Sequence, residues 1–285
     1  MTDPVHVIGA SGRTGRVLCQ TLLADGIPLV PVVRNPSKWE AAELAGQARL
    51  ADLRQPEALR AALADATRIV SCAHARHTPA ILAAAPATAR LVLLGSTRKF
   101  TRWPDAHGNG VLAGEAALMS SGRHGVMLHP TMIYGAQGEN NVQRLAALLR
   151  RLPFLPLPGG GRFLVQPIHQ SDVVRCIRSA LEQAWPEPAS LVIAGPEPLQ
   201  YADFVRAVGL AADVGRVRIL SFPAGPLILA ARLTRHMKAL PAVEPAEIRR
   251  LLEDKAFDIA DMVAILGVAP ISLRDGLALT FRPPG

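Results

Sequence analysis

Residues 5–16 of the chain read VHVIGASGRTGR, and this stretch decides the fold. A short apolar run at residues 5–8 ends in a turn with glycines at positions 9, 12 and 15. Residues 16–24 then carry apolar side chains at helical spacing, and residues 27–33 form a second apolar run. The pattern predicts a strand, a glycine-rich turn, a helix and a second strand.

The glycine turn predicts a dinucleotide site. Glycines at this spacing allow a tight turn and let backbone N–H groups approach a pyrophosphate at the positive end of the helix dipole. An ordinary glycine turn is the alternative, but the position between a strand and a helix favours cofactor binding. We expect the cofactor to contact Gly9, Ser11, Gly12, Arg13, Thr14 and Gly15.

Strands and helices keep alternating along the chain. The predicted strands after the first two are residues 68–72, 91–94, 126–128 and 191–194. The predicted helices are residues 59–63, 79–85, 114–120, 141–151, 172–184 (with Ser171 as N-cap), 226–240 and 245–254. A loop rich in Pro and Gly covers residues 152–161, and Gly267 and Pro270 interrupt the final stretch, residues 257–280.

This alternation predicts an α/β protein with a Rossmann-type, doubly wound parallel sheet and a smaller, mostly helical C-terminal substrate lobe. We expect residues 1–155 to form a dinucleotide-binding Rossmann domain, completed by a return segment near residues 165–195. Residues 196–285 would form the substrate lobe, and residues 135–164 would contribute to the cleft.

Composition limits the classes of partner. Hydrophobic residues make up 49% and charged residues 19% of the 285 residues, which excludes a disordered chain. The net charge of +8 suits nucleic acid, an anionic membrane surface or a polyphosphate cofactor. Because the arginines are scattered and only two Tyr and three Trp are present for base stacking, we expect no nucleic-acid partner.

Membrane and metal sites are also not expected. The longest stretch without Lys, Arg, Asp or Glu, residues 124–138, is too short to cross a bilayer, and peripheral membrane contact is not favoured. The first cation, Arg13, lies in the glycine turn rather than in a basic leader, so a cytoplasmic location is expected. The three cysteines are widely spaced and suit neither disulfides nor a metal site.

The second strand ends in Val33, Arg34 and Asn35, with no carboxylate for a ribose 2′-hydroxyl. A guanidinium at this position can pair with a 2′-phosphate, and Arg13 and Lys38 would add positive charge. The predicted cofactor is therefore NADP(H). The alternative is that Arg34 is only a solvated cation at the end of a strand.

Several motifs resemble the atypical or extended short-chain dehydrogenases/reductases, of the NAD(P)-dependent epimerase/dehydratase-like superfamily. They are the glycine turn and residues 51–53 (ADL), 71–74 (SCAH), 129–135 (HPTMIYG) and 166–173 (QPIHQSDV). The resemblance implies hydride transfer to or from a small organic substrate. It also implies cofactor contacts from Asp52, Leu53, Ala73, His74, Gly95 and Pro130.

The chain departs from that family at its Tyr-x-x-x-Lys pair, which supplies the general acid and base. If Glu115 matches the family's Glu, His107 and Val111 stand where Tyr and Lys are expected. Ser96 and Thr97 keep the hydroxyl after the fifth strand. The catalytic candidates are therefore Ser96, Thr97, His107 and Tyr134, although the neighbouring glycines favour a mobile loop around His107.

Two other functions remain open at this stage. A non-catalytic NADP(H)-binding regulator or accessory subunit would also keep the glycine turn and lose the catalytic pair. A nucleotide-sugar epimerase or dehydratase is suggested by the residues around Tyr134 and His169. The sequence identifies neither the substrate nor the oligomeric state.

Overall fold

A computed structural model describes residues 3–136, 141–152, 154–234 and 245–281. Its strands, in chain order, are β1 (Val5–Ile8), β2 (Leu29–Val33), β3 (Arg49–Leu50), β4 (Arg68–Ser71), β5 (Arg90–Leu94), β6 (Gly125–Pro130), β7 (Ile133–Tyr134), β8 (Leu155–Pro158), β9 (Leu164–Val165), β10 (Ile168–His169), β11 (Ala189–Ile193), β12 (Leu199–Gln200) and β13 (Ile219–Phe222). Its α-helices are α1 (Arg13–Ala24), α2 (Pro36–Glu40), α3 (Pro56–Ala62), α4 (Thr78–Ala84), α5 (Ala106–Met119), α6 (Asn141–Leu149), α7 (Gln170–Glu182), α8 (Tyr201–Ala211), α9 (Ala224–Thr234), α10 (Pro245–Arg250), α11 (Ala260–Leu266) and α12 (Leu273–Phe281).

Seven strands form one parallel sheet in the order β11-β6-β5-β4-β1-β2-β3. The chain winds outward from β1 in both directions, so the strand order reverses between β1 and β4. In such sheets a crevice opens at the carboxyl ends of the strands at this switch point, where ligands bind. The prediction of a doubly wound Rossmann-type sheet is confirmed.

Both faces of the sheet are covered, which is why its strands are short and apolar. One face packs against α1 and α7, through side chains such as Leu18 and Ile177. The other face packs against α3, α4 and α5, through Leu59, Ile81 and Leu118 among others. A third apolar cluster holds α6, α8 and α12 together and forms the core of the helical carboxy-terminal lobe.

The helix α5 corrects the prediction for the segment around His107. It begins at Ala106, well before residue 114, because the Asp105 carboxylate caps it by accepting the N–H of Gly108 at 2.8 Å. The glycines are needed for close packing rather than for a loop. A Cβ on Gly108 would lie 2.9 Å from the carbonyl oxygen of Arg98. His107 is therefore a helical residue, and the loop interpretation is wrong.

Other boundaries differ because of local hydrogen bonds. The N-cap of α7 is His169, whose Nδ1 accepts the N–H of Ser171 at 3.2 Å, so the predicted cap at Ser171 is wrong. The Pro-rich stretch at residues 152–161 contains β8, which pairs in parallel with β13. Of the predicted helix at residues 226–240, α9 covers the part up to Thr234, and residues 235–240 lie outside the described residues.

Close packing of α5 gives a first prediction. A Cβ on Gly114 would lie 2.1 Å from the carbonyl oxygen of Ala75, so one backbone must shift in Gly114→Ala. We expect this change to lower the free energy of unfolding by about 1–3 kcal/mol, as overpacking does, although alanine favours helix formation. Urea denaturation measures the effect.

The matched control is Gly225→Ala in α9, where nothing lies within 4 Å of the added carbon. We expect this variant to match the wild type or to be slightly more stable. A Gly114→Ala protein with wild-type stability would contradict the close approach of α5 to Ala75.

Candidate functional site

The glycine turn between β1 and α1 forms a cradle for a diphosphate. Gly9 has a φ of +77°, a region that favours glycine, and a Cβ on Gly15 would lie 2.2 Å from the carbonyl oxygen of Gly9. Gly12 is the N-cap of α1 without a side-chain cap, and the first turn holds no acid. The uncapped N–H groups and the helix dipole suit an anion, so these residues fit the pyrophosphate of a dinucleotide.

The corner beyond β2 is basic at its surface. Arg34 is exposed directly after the strand, and the Asn35 side chain accepts the N–H of Ser37 at 3.0 Å to cap α2. Asp52 follows β3 and pairs with Arg54, with Nη2 and Oδ2 2.7 Å apart. Hydrogen bonds from Arg54, with a smaller effect of the Arg34 charge, hold the pKa of Asp52 well below its usual range. Arg34 and Asp52 therefore share one corner.

The carboxyl end of β4 borders the glycine turn. The backbone N of Ala73 would lie 3.3 Å from a Cβ on Gly9. The next residue, His74, accepts the N–H of Arg76 at Nδ1 over 3.0 Å, so its hydrogen is on Nε2. Nε2 is buried and has no hydrogen-bond partner among the described residues. Burial and the neighbouring His107 lower the pKa of His74 to about 4.

The rings of His74 and His107 are in contact. Their centroids are 4.2 Å apart and their planes are nearly perpendicular, at 80°. The structure therefore places His107, a predicted catalytic residue, against His74, a predicted cofactor contact. Burial, followed by the charge of Arg98, lowers the pKa of His107, so both rings are neutral at pH 7.

The carboxyl end of β5 presents Ser96 and Thr97. The Thr97 hydroxyl donates to the carbonyl oxygen of Pro130 at 3.2 Å, which uses its hydrogen. The Ser96 hydroxyl oxygen instead accepts the N–H of Arg98 at 3.2 Å. The hydrogen of Ser96 is therefore left to donate to a ligand, and Ser96 is the better candidate for polarising a carbonyl.

A buried polar network beneath Ser96 was not predicted. Glu115 on α5 accepts from Lys99 Nζ at 2.5 Å and from the Ser190 hydroxyl of β11 at 2.5 Å. Although burial opposes ionisation, the hydrogen bonds from Lys99 and Ser190 lower the pKa of Glu115. The scarcity of lysines was a possible signal, because one of only four in the sequence follows Thr97 by two residues.

His129 joins this network to the loop after β5. The Ser96 N–H points at its Nδ1 over 3.2 Å, so the ring hydrogen is on Nε2, which lies 3.3 Å from a Glu115 carboxylate oxygen. Burial and the Lys99 charge lower the pKa of His129 to about 4, which keeps the ring neutral. Three elements, α5, β6 and β11, are thereby joined to the loop that carries Ser96.

Tyr134 is the one catalytic candidate that the structure removes from this group. Its side chain is 1% exposed, and its ring packs against His169 at 5.2 Å between centroids. The hydroxyl faces α12, where a Cβ on Gly276 would lie 2.1 Å from it. A phenol enclosed in this way cannot reach a substrate, so the catalytic assignment of Tyr134 is corrected to a core role.

A cavity of about 280 Å³ lies at the opposite side of the sheet, where β1 and β4 begin. Its lining includes Val5 and Arg68, which begin β1 and β4, and Arg178 on α7. Because the predicted ligand residues all stand at the carboxyl ends of the strands, this cavity is separate from the candidate site.

Comparison with known proteins agrees with the geometry. The family model described as NAD(P)H-binding matches residues 9–114. A short-chain dehydrogenase/reductase superfamily protein from Agrobacterium tumefaciens, solved with bound NAD, superposes with a TM-score of 0.72 at 14% identity, covering 98% of this chain and 96% of that one. The chain therefore has the fold of the short-chain dehydrogenases/reductases. The expected resemblance is thereby confirmed at the level of the fold.

A second solved structure is similar in fold, and a further protein is similar in sequence. UDP-glucose 4-epimerase from Thermotoga maritima, solved with UDP-glucose, has a TM-score of 0.73 at 14% identity, covering 98% of this chain and 97% of that one. An uncharacterized protein of Mycobacterium tuberculosis is 29% identical over an alignment of 217 residues that covers 72% of this chain. The chain spans 23% of the length of that relative.

Within the described residues, no helix combines the length and apolar character that crossing a membrane requires. The same residues contain no group of three or more His, Cys, Asp or Glu side chains placed to hold a metal ion.

The neutral, buried histidines predict a pH dependence of stability. Unfolded histidines bind protons near pH 6.5, whereas folded His129 and His74 do so at about pH 4. Between these values the unfolded state holds more protons, so the free energy of unfolding falls as the pH is lowered from 6.5 to 4. We expect His129→Asn, whose amide oxygen can still accept from Ser96, to show a shallower decline in urea titrations across this range.

The control for this titration is Leu210→Asn, which replaces an exposed side chain without a titratable group and should retain the wild-type slope. An unchanged slope in His129→Asn would contradict the neutral, buried state of His129.

Proposed function

We propose that the protein is an NADP(H)-dependent oxidoreductase that transfers hydride to or from a small organic substrate. The observation that carries this proposal is that three features lie together at the carboxyl ends of the strands. The start of α1, which has no side-chain cap, follows β1, the guanidinium of Arg34 follows β2, and the hydroxyl of Ser96 follows β5. All three therefore lie at the carboxyl ends of strands in one parallel sheet. Cofactor and substrate groups would meet there.

The residues that would hold the cofactor divide into three sets. The backbone of residues 9–15 would bind the diphosphate through N–H groups. Arg34 would pair with the 2′-phosphate, with Arg13 adding positive charge. Asp52 and Leu53 would meet the adenine, while Ala73, His74, Gly95 and Pro130 would line the nicotinamide half. When bound, the nicotinamide supplies or accepts the hydride.

The substrate carbonyl would be oriented by Ser96. Its hydroxyl hydrogen would donate to the carbonyl oxygen, while the fixed N–H of Arg98 holds the hydroxyl oxygen in place. Thr97 can only accept a hydrogen bond in its present arrangement, because its hydrogen is used by Pro130. In the oxidation direction His107, whose ring is neutral at pH 7, is the candidate that would accept the proton of the substrate hydroxyl.

One observation favours a second function, a non-catalytic NADP(H)-binding regulator or accessory subunit. Val111, which stands where the family's Lys is expected, is 1% exposed and packs in the core. The usual lysine is therefore absent from α5. The epimerase alternative is supported by likeness of fold alone. One fold can serve many different activities, so this support is weaker than a site observation.

A turnover screen separates these functions. Purified protein is mixed with NADPH and a panel of carbonyl compounds, enones, quinones and UDP-sugars, and NADPH oxidation and sugar epimerisation are followed. Oxidation with a carbonyl, enone or quinone supports the oxidoreductase. Tight NADPH binding without turnover of any panel member supports the regulator instead.

Cofactor preference gives the next prediction. We expect NADPH to bind more tightly than NADH, and Arg34→Ala to weaken NADPH binding by about tenfold, the loss of about 1.4 kcal/mol. NADH binding should be unchanged, because it lacks the 2′-phosphate. Titration of nucleotide fluorescence measures both affinities.

Arg90→Ala provides the control, since Arg90 is exposed at the opposite, amino-terminal end of β5. It should bind both nucleotides as the wild type does. Equal affinities of the wild type for NADPH and NADH would exclude the assignment of Arg34.

A further prediction concerns Ser96. With any reducible substrate from the screen, Ser96→Ala should lower kcat/KM by about 100-fold, as removal of a preorganised donor does. Thr97→Val should have a smaller effect, because the Thr97 hydrogen is already used. NADPH affinity should be unchanged in both variants. Steady-state kinetics that show the larger loss in Thr97→Val would contradict the role of Ser96.

A further inference from the structure

The strands β8 and β13 of the carboxy-terminal lobe form a pair with an inner and an outer face. They run parallel, with Leu155 opposite Ile219 and Leu157 opposite Ser221. Leu155 and Leu157 are buried in the core of the lobe. Because successive side chains of a strand point to opposite faces, the residues that alternate with these two leucines belong to the outer face.

Large apolar side chains occupy this outer face. Leu220 and Phe222 are separated by one residue on β13, so their side chains share the face. Phe154 directly precedes Leu155, whose N–H donates to the carbonyl oxygen of Arg218 at 2.8 Å, which places Phe154 beside the start of β13. Phe154, Leu220 and Phe222 are each 44–46% exposed. We call these three residues the apolar strand face.

Helix α9 adds a further apolar side chain beside this pair of strands. The helix begins just after β13 and packs back against β8. Its Leu229 is also exposed. Single exposed apolar side chains are normal on a protein surface, whereas neighbouring ones mark a site of interaction. The outer face of the pair is therefore a candidate contact surface.

Arginines stand at both ends of the apolar strand face. Arg216 and Arg218 occupy alternate positions directly before β13, and both are exposed. Arg162 is exposed in the turn that follows β8. In the same turn a Cβ on Gly160 would lie 3.5 Å from the Cβ of Ser221, which places this turn beside the far part of β13.

The positive charge of these arginines is not neutralised by neighbouring acids. Within the residues that the structure describes, none of the three forms an ion pair or a side-chain hydrogen bond. Residues 150–162 and 213–229, which contain both strands and their flanks, include five arginines and one acid, Asp213. A positive potential therefore surrounds the apolar side chains.

An anionic lipid bilayer matches both parts of this surface. Lipid phosphates attract guanidinium groups, and the adjoining acyl chains accept Phe and Leu side chains. A second copy of the chain matches less well, because a symmetric dimer through this face would bring the arginines of both copies together. Nucleic acid would leave the leucines without contacts, since bases stack on aromatic rings.

We propose that the apolar strand face and its flanking arginines form a peripheral binding site for an anionic phospholipid bilayer. The sequence alone does not favour this contact, because β8 and β13 are far apart in the chain and only their pairing brings the apolar side chains together. The site contains none of the residues assigned to the cofactor or to the substrate, so it is independent of the proposed function.

Co-sedimentation of the full-length protein with vesicles tests the site. Vesicles of phosphatidylcholine alone are compared with vesicles of phosphatidylcholine and phosphatidylglycerol in equal parts. We expect binding to the anionic vesicles at low ionic strength and weaker binding at high salt, because salt screens the attraction between arginines and lipid phosphates. Equal binding to both kinds of vesicle, or binding to neither, would overturn the proposal.

Single substitutions separate this face from the positive charge of the whole chain. Phe222→Ser should weaken binding to the anionic vesicles by about tenfold, and Arg218→Gln by about fivefold. The matched controls are Leu112→Ser on α5 and Arg60→Gln on α3, which change exposed residues on helices that cover the sheet. Equal weakening in the controls would assign the binding to the surface as a whole and reject the site.

Insertion of the face into the bilayer is followed with Phe222→Trp. The fluorescence of the new indole should shift to shorter wavelength on anionic vesicles, as it does when an indole enters the boundary between headgroups and acyl chains. The wild-type protein is the control for the native tryptophans. A spectrum that changes no more than that of the wild type would overturn insertion, even where co-sedimentation is positive.

Sedimentation velocity without lipid tests the competing occupant, a second copy of the chain. We expect Phe222→Ser to leave the oligomeric state of the protein unchanged. A dimer that dissociates in Phe222→Ser would assign the apolar strand face to contact between copies and overturn the proposal.

Discussion

The approach of α1 to the end of β1 is the constraint on which the site depends. A side chain at Gly15 would lie 2.2 Å from the carbonyl oxygen of Gly9, so helix and turn can meet only through glycine. This contact leaves the first turn of α1 open, without a side-chain cap or an acid. Because the sheet is parallel and β1 lies between β4 and β2, the carboxyl ends of β2, β4 and β5 lie on the same side of the sheet as that of β1.

A second constraint fixes the position of Ser96 after β5. Glu115 joins α5, β11 and the loop after β5 in one buried set of hydrogen bonds, and His129 extends it to the backbone of Ser96. A buried carboxylate is stable only with such partners, since desolvation otherwise outweighs its charge interactions. The position of Ser96 therefore follows from the packing of three elements that meet beneath it.

Local patterns were sufficient where one segment carried the whole signal. The spacing of Gly9, Gly12 and Gly15 predicted the turn, and the apolar runs predicted six of the seven strands of the sheet, all but the two-residue β3. Local sequence patterns failed where the position of a residue depends on contacts with residues far away in the sequence. His107 was expected in a loop because of its glycine neighbours, yet those glycines allow α5 to pack against Arg98 and Ala75. Tyr134 was expected near the substrate, yet its hydroxyl faces Gly276.

By itself, the sequence determined a doubly wound α/β chain with a glycine turn after the first strand and an arginine in place of an acid after the second strand. These features are local, because periodicity, glycine conformation and residue type act within a few positions. Only the tertiary structure decided that Lys99 pairs with Glu115, that His74 touches His107, and that Glu253 binds Thr101 and Arg102. Those contacts join residues far apart in sequence, and their energies depend on burial, which no local pattern encodes.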